Sequence, residues 1–356
     1  MADLNLPRFL LPVVVGGIVA GVLPGCSVLA GAAMPVVRWK SEAMFASGDV
    51  DASRRDIPSS LSQLRFLADL APDHAPVNVA LAQALGGHAL GFLDPVLTPG
   101  FDPPPDQLAA ARQAFREGRT YGARALRHLE GFSAGLDGDL EVFRAAVERA
   151  GLAEVPALFW TAYNWGQLAL LSFDDIELSA EFEKAELMMR RVEALAPGFF
   201  HGGAQAFLMV RYASRPTLLG GDPAAARLAW QQAREASGGR FLMTDVLFAQ
   251  YGCVQVQDAV LYKSILEQVM ATPADVLPAE RLANLLAQRR AKVLLERMSD
   301  AFDLEEAEEQ TSVDEVGTPT PVSAPSPLAT IPPSVGDPMG NKSPGPSRLP
   351  LRRSTP

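Results

Sequence analysis

Cysteine is almost missing: Cys26 and Cys253 are the two thiols in 356 residues. That excludes a disulfide-stapled scaffold and a cysteine-rich metal knot. Histidine is equally sparse. His74, His88, His128 and His201 show no paired spacing, with each other or with the cysteines, that would hold a metal on one helix face. They read as surface or packing residues, and no metal or cofactor is called for. Excess basic charge is absent too: 31 Lys+Arg against 41 Asp+Glu give a formal charge of −10 and a pI near 5.0. A phosphate-binding surface over much of the molecule is excluded, and nucleic acid with it as a partner. Isoleucine, a strand former, occurs five times while alanine is abundant, which leans the chain all-α. With 48% apolar residues and a mean hydropathy of +0.09 there is ample material for a large core.

A long clean hydrophobic run is also lacking. Phe9 to Val37 carries no charge, yet Pro12, Pro24 and Pro35 with Gly16, Gly17, Gly21 and Gly25 interrupt it, so it does not read as one membrane-spanning helix. A short basic segment ending at Arg8, an apolar piece from about Val13 to Leu23 and a small residue before cysteine read instead as a secretory leader over residues 1–25. Its last residues, Leu23-Pro24-Gly25-Cys26, resemble a bacterial lipobox, with Pro24 a departure. Cys26 is the candidate lipidation site: its thiol would take a diacylglycerol and become the new N-terminus. Ser27 follows, not Asp. By resemblance to sorting in Gram-negative bacteria, that permits a periplasmic, lipid-anchored protein to reach the inner leaflet of the outer membrane.

The other end is different in kind. Residues 303–356 open with Glu305, Glu306, Glu308 and Glu309, then become rich in Pro, Ser, Thr and Gly, holding eleven of the 29 prolines. Such a segment buries too little apolar surface to offset ordering and reads as a disordered tail. The leader is neutral and the tail carries −4, which leaves −6 on residues 26–302.

That middle segment has apolar residues at helical spacing, broken by turn signals. Phe182, Ala185, Met189, Val192 and Ala196 form one stripe, ended by Pro197-Gly198. Ala283, Ala287, Leu294 and Met298 form another, on a last helix starting near Pro278 with Arg289, Arg290 and Lys292 on its polar side. Asp222-Pro223 predicts a helix start, and Pro103 to Pro105 with Asp106 precede a helix running to about Leu129. A small-large-small pattern recurs as Ala111-Phe115-Gly118, Leu178-Phe182-Ala185 and Ala226-Trp230-Ala233. Its aromatics are 67 and 48 residues apart; the first interval is about two periods of 34. The expected fold is therefore all-α, a tetratricopeptide-like array of helical hairpins with degenerate repeats and insertions.

Catalytic motifs fail on context. Gly131-Phe132-Ser133-Ala134-Gly135 has the nucleophile-elbow spacing, but it follows a helix where the elbow needs a strand, so a loop between helices is expected. Asp137-Gly138-Asp139 lacks the rest of a calcium loop and reads as a turn and helix cap. Gly220-Gly221 has no lysine or hydroxyl partner that would complete a phosphate loop. Trp160, Tyr163, Asn164 and Trp165 concentrate aromatic and amide groups on one and a half turns. Residues 160, 163 and 164 share a face, and Trp165 points about 100° from Asn164. These four are the candidates for lining a ligand channel, with Asn164 as a polar anchor among apolar groups; core packing between helix pairs is the competing reading.

Several stretches resemble the T-component (TatT) family of TRAP transporters: Leu158-Phe159-Trp160-Thr161-Ala162-Tyr163-Asn164-Trp165-Gly166, His201-Gly202-Gly203-Ala204, and Arg215-Pro216-Thr217-Leu218-Leu219-Gly220-Gly221-Asp222. Gln257-Asp258, Arg281-Leu282-Ala283-Asn284 and Gln288-Arg289-Arg290-Ala291-Lys292 continue the likeness. It spans about residues 36 to 302, with the segment from Leu93 to Pro105 and the tail as departures. The resemblance implies a periplasmic lipoprotein of tetratricopeptide-like helices, a homotrimer with apolar channels, that partners the solute-binding protein (P component) of the transporter. It also implies a non-catalytic role in handling a small hydrophobic or carboxylate-bearing ligand. A general tetratricopeptide-like periplasmic scaffold for protein-protein interaction is the alternative.

Overall fold

Four helices start at an aspartate, Asp49, Asp139, Asp222 or Asp258, whose side chain caps free amides. The computed structural model describes residues 24–97, 104–172, 175, 178 and 181–302. Its helices are α1 (Pro24–Phe45), α2 (Val50–Leu70), α3 (Ala75–His88), α4 (Pro105–Ala125), α5 (Phe132–Leu136), α6 (Leu140–Glu148) and α7 (Val155–Leu170). They continue with α8 (Phe182–Leu195), α9 (Gly203–Ala213), α10 (Pro223–Ser237), α11 (Met243–Leu247), α12 (Ala259–Ala271) and α13 (Arg281–Glu296). Two π-helical turns, Ala89–Leu93 after α3 and Phe248–Cys253 after α11, extend their helices. No strand occurs among the described residues, and the protein is all-α. None of the described helices is long and apolar enough to cross a membrane. The expected leader, up to residue 23, and the expected tail lie outside the described residues.

Asp222 Oδ1 accepts from the amides of Ala224 and Ala225, both at 3.0 Å, with Pro223 in the first turn. Asp139 caps α6 through Glu141 and Val142, so the Asp-Gly-Asp stretch is the cap its composition suggests. Asp258 caps α12 after Gln257 turns the chain at φ +55°. Three expectations need correcting. The helix after Pro103 stops at Ala125, short of Leu129, and residues 132–136, expected as a loop, form α5 with Ser133 exposed. Gly131 at φ +81° separates the two. Pro35 does not end its helix: α1 runs through it, as α2 runs through Pro58. Both prolines face outward, where water can reach the carbonyl each leaves without its usual donor.

The three small-large-small triplets are buried throughout. Gly118 does more than fill space: a Cβ there would strike the Asn164 side chain, and one at Gly122 would strike Thr161. Glycine one turn apart on α4 is therefore what lets α7 approach closely. Helices adjacent in sequence pack in turn from α2 to α4, and α7 to α10 follow. α13 returns to touch α1, α2 and the turn at Pro95–Leu97, so the end of the array meets its beginning.

The apolar interior forms two clusters, one drawn from residues up to Ala204 and one from Met209 onward, with Leu90 packed against both. Between them sits Arg290. The sequence places it on a polar face; it is in fact 2% exposed, with Nη1 on Asp94 Oδ2 at 2.8 Å and Nε on Gln250 Oε1 at 2.9 Å. Asp94 directly follows the first π turn and Gln250 lies in the second, so one guanidinium ties both to α13. Asp94 completes its bonding by accepting from Val96 N at 2.9 Å. Burial opposes the charge on Arg290, but the Asp94 carboxylate beside it raises its pKa above the usual value.

Replacing Asp94 by Asn leaves a buried cation without its counter-charge and is expected to cost about 3–5 kcal/mol in urea unfolding, while the double change Asp94→Leu, Arg290→Met recovers most of it. A double variant as unstable as the single one would contradict the clamp. Burial pushes the Cys253 thiol up to about 12. Its alkylation at neutral pH is expected only at the rate of unfolding, and fast labelling of native protein would refute this.

Candidate functional site

α7 is apolar on nearly every face, and helices on two sides bury most of it. On a third side it borders a partly open cavity of about 190 Å³, lined by α1, α2 and α3 and by α7, α9, α11 and α13. An apolar cavity of about 150 Å³ already holds a benzene molecule.

The expected site residues divide. Trp160 and Tyr163 line the cavity. Trp160 has ring centroids 4.9 Å from Phe159, 5.4 Å from Tyr163 and 4.9 Å from Phe200. The Tyr163 ring also packs against Gly86 and Phe115, and burial pushes its phenol well above the ordinary tyrosine range. Asn164 and Trp165 lie off the wall. Asn164 is fully buried and donates to Ala82 O at 3.0 Å and Trp160 O at 2.7 Å, wedged between Gly86 and Gly118. Its amide nitrogen ties α7 to α3. Trp165 is also fully buried, under the Arg119 guanidinium 3.7 Å from its ring centroid. A single amphipathic reading could not separate the pairs, because α7 has no solvent face to orient it.

Motif residues chiefly shape the cavity wall. Phe200 and His201 have φ of +45° and +59°, rare for side chains of this bulk. They are held because Phe200 packs on Phe159, Trp160 and Phe241, and His201 stacks on Phe241 at 4.9 Å. Gly202, at φ +78°, comes so close to α10 that a Cβ would sit 2.9 Å from Ala233 Cα. Gly203 leaves room for the Phe159 ring, and Gly166 for Phe207. Asn284 ties α13 to the chain before α11: Oδ1 accepts from Leu242 N at 3.0 Å, and Nδ2 donates to Arg240 O and Ala274 O at 3.0 and 3.1 Å.

Sequence reasoning missed the polar groups of the wall. Thr244 Oγ1, Glu280 Oε2 and His88 Nδ1 are buried without hydrogen-bond partners, and all three residues line the cavity. Burial, with Arg65 and Arg54 nearby, lowers the His88 pKa and keeps its ring neutral. Nothing in the sequence marks Thr244 or Glu280. Phe200 could have been found, since two aromatics directly precede the His201-Gly202-Gly203 motif or belong to its edge. Elsewhere, an open cleft gathers Arg144, Arg190, Arg211 and Arg215 around Glu183 and Glu186. Glu186 takes Arg190 at 2.7 Å and Arg211 at 3.1 Å.

A family model described as TRAP transporter T-component matches residues 47–302. A protein of Treponema pallidum (strain Nichols), named there only as uncharacterized, is 24% identical over 263 residues, which covers 71% of this chain and 80% of that protein.

An apolar molecule entering the cavity is expected to change the fluorescence of Trp160 and leave Trp165 unaffected. The change should vanish in Trp160→Phe and persist in Trp165→Phe; the opposite pattern would place the binding site elsewhere.

Proposed function

Because the chain belongs to the TRAP transporter T-component family, we propose that it is a lipid-anchored periplasmic accessory protein that docks the transporter's solute-binding protein and handles a small ligand through its helical interior. The observation that carries this reading is the aromatic-lined cavity beside α7. Its wall is mainly apolar with a few placed polar groups, the usual makeup of a small-molecule site. No step of bond making or breaking is assigned to it, and the role is non-catalytic. The anchor is the diacylglycerol expected on Cys26. In support, Val28, Leu29, Val36 and Trp39 of α1 are 60–69% exposed, apolar side chains close behind that cysteine that a bilayer or a neighbouring subunit would cover. We take the functional unit to be a homotrimer, as the family likeness implies.

Protein extracted from membranes with Cys26 intact is expected to retain a solute-binding protein after cross-linking, and Cys26→Ser to release the chain from the membrane. Absence of any such subunit would end the partner assignment. Ala206 lies on the cavity wall, and Ala206→Phe fills the space at a cost of about 1–3 kcal/mol. Native mass spectrometry should then show loss of co-purifying lipophilic molecules from a folded protein. Undiminished ligand in that variant would move the ligand out of the cavity.

A further inference from the structure

The polar groups on the cavity wall are not scattered at random. One end is built by Phe200, Phe241, Thr244 and Glu280. Phe200 and Phe241 have centroids 5.6 Å apart, and Thr244 N bonds to Phe241 O at 3.3 Å. Glu280 Oε1 lies 3.4 Å from His201 Nε2, whose ring stacks on Phe241. The second carboxylate oxygen, Oε2, is buried and unpartnered, as is the Thr244 hydroxyl on a residue 2% exposed. Buried polar atoms left without partners cost stability, and a native protein keeps them where something else satisfies them.

The chemistry of these atoms selects the ligand. A carboxylate only accepts, and a threonine hydroxyl both accepts and donates. A carboxylate-bearing ligand would set like charge against Glu280 in an apolar space, where repulsion is poorly screened. A donor head meets the opposite situation, with the free Oε2 of Glu280 as its acceptor. The other charged side chain on the wall, Lys40, is exposed and turned to Gln63 Oε1 at 3.5 Å, so it does not neutralise Glu280. We propose that this end of the cavity receives the hydrogen-bond-donating head, ammonium or hydroxyl, of an otherwise apolar ligand and rejects the matching carboxylate. The proposal rests on the reading of the cavity as a ligand site and narrows it: of hydrophobic and carboxylate-bearing ligands, it selects the first and excludes the second.

The test is displacement of a neutral fluorescent probe, N-phenylnaphthylamine, from the full-length protein by octylamine, octanol and octanoate, which share one chain and differ in the head. Octylamine is expected to bind about tenfold more tightly than octanoate, with octanol between. Glu280→Gln should remove most of the amine's advantage over octanol, and Thr244→Val should weaken amine and alcohol together. Octanoate binding as well as octylamine to the unmodified protein overturns the proposal, as does a ranking untouched by Glu280→Gln. Failure of the probe itself to bind overturns the ligand-site reading beneath it. The amine and alcohol arms separate a cationic head from a neutral one.

Discussion

A charge buried at the junction of two apolar clusters constrains everything packed around it. The side chains of Arg290 and Asp94 are 2% and 7% exposed, and desolvating them is repaid only if geometry stays close to ideal. The residues that supply that geometry are 196 positions apart in the chain. Any opening between α13 and the turn after α3 therefore exposes or orphans a charge. The two π turns make sense in this light. An extra residue in a helical turn re-aims the side chains beyond it, and Asp94 and Gln250 are the groups that the two turns bring to the same guanidinium.

The same constraint explains how a cavity survives inside an alanine-rich helical protein. Interiors close up when helices can slide together, and an empty apolar space costs stability in proportion to its size. Here the helices around the space are held from behind. Asn164 fixes α7 to α3, Asn284 fixes α13 to the segment of chain before α11, and Arg290 fixes α13 to both π turns. Each tie is buried and directional, so α7 and α13 keep their separation although apolar contact would favour closing it.

Much of this is legible in the sequence. The caps, the small-large-small triplets and the all-α class follow from local rules, because a cap needs only its own turn and a triplet only its neighbour. The site is half legible. Trp160 and Tyr163 stand out because aromatics cluster on α7; Asn164 suggests a ligand contact because a lone amide among apolar residues looks like an anchor. The carbonyl it bonds across to α3, 82 residues earlier, leaves no mark at the amino-acid level. Arg290 misleads for the same reason. Flanked by Arg289 and Lys292, it shares their composition but not their face, and Asp94 lies in a segment without a readable pattern.

The motifs of the chain turn out to be mostly devices for backbone shape. Gly202 lets the chain approach Ala233 and Gly203 clears the Phe159 ring, while the left-handed backbone of Phe200 and His201 goes with a Phe200 ring packed on Trp160 and Phe241. Gly166 clears Phe207, and Asn284 ties the Arg240–Leu242 turn that carries Phe241. A residue pattern can thus mark the helical frame of a cavity without naming its occupant. Selectivity falls to side chains outside the motifs, and in this chain His88, Thr244 and Glu280 carry wall atoms left to offer. Two chains could therefore share the frame and still differ in ligand, because changing Glu280 alters the charge at the wall while leaving every tie that holds the helices apart intact.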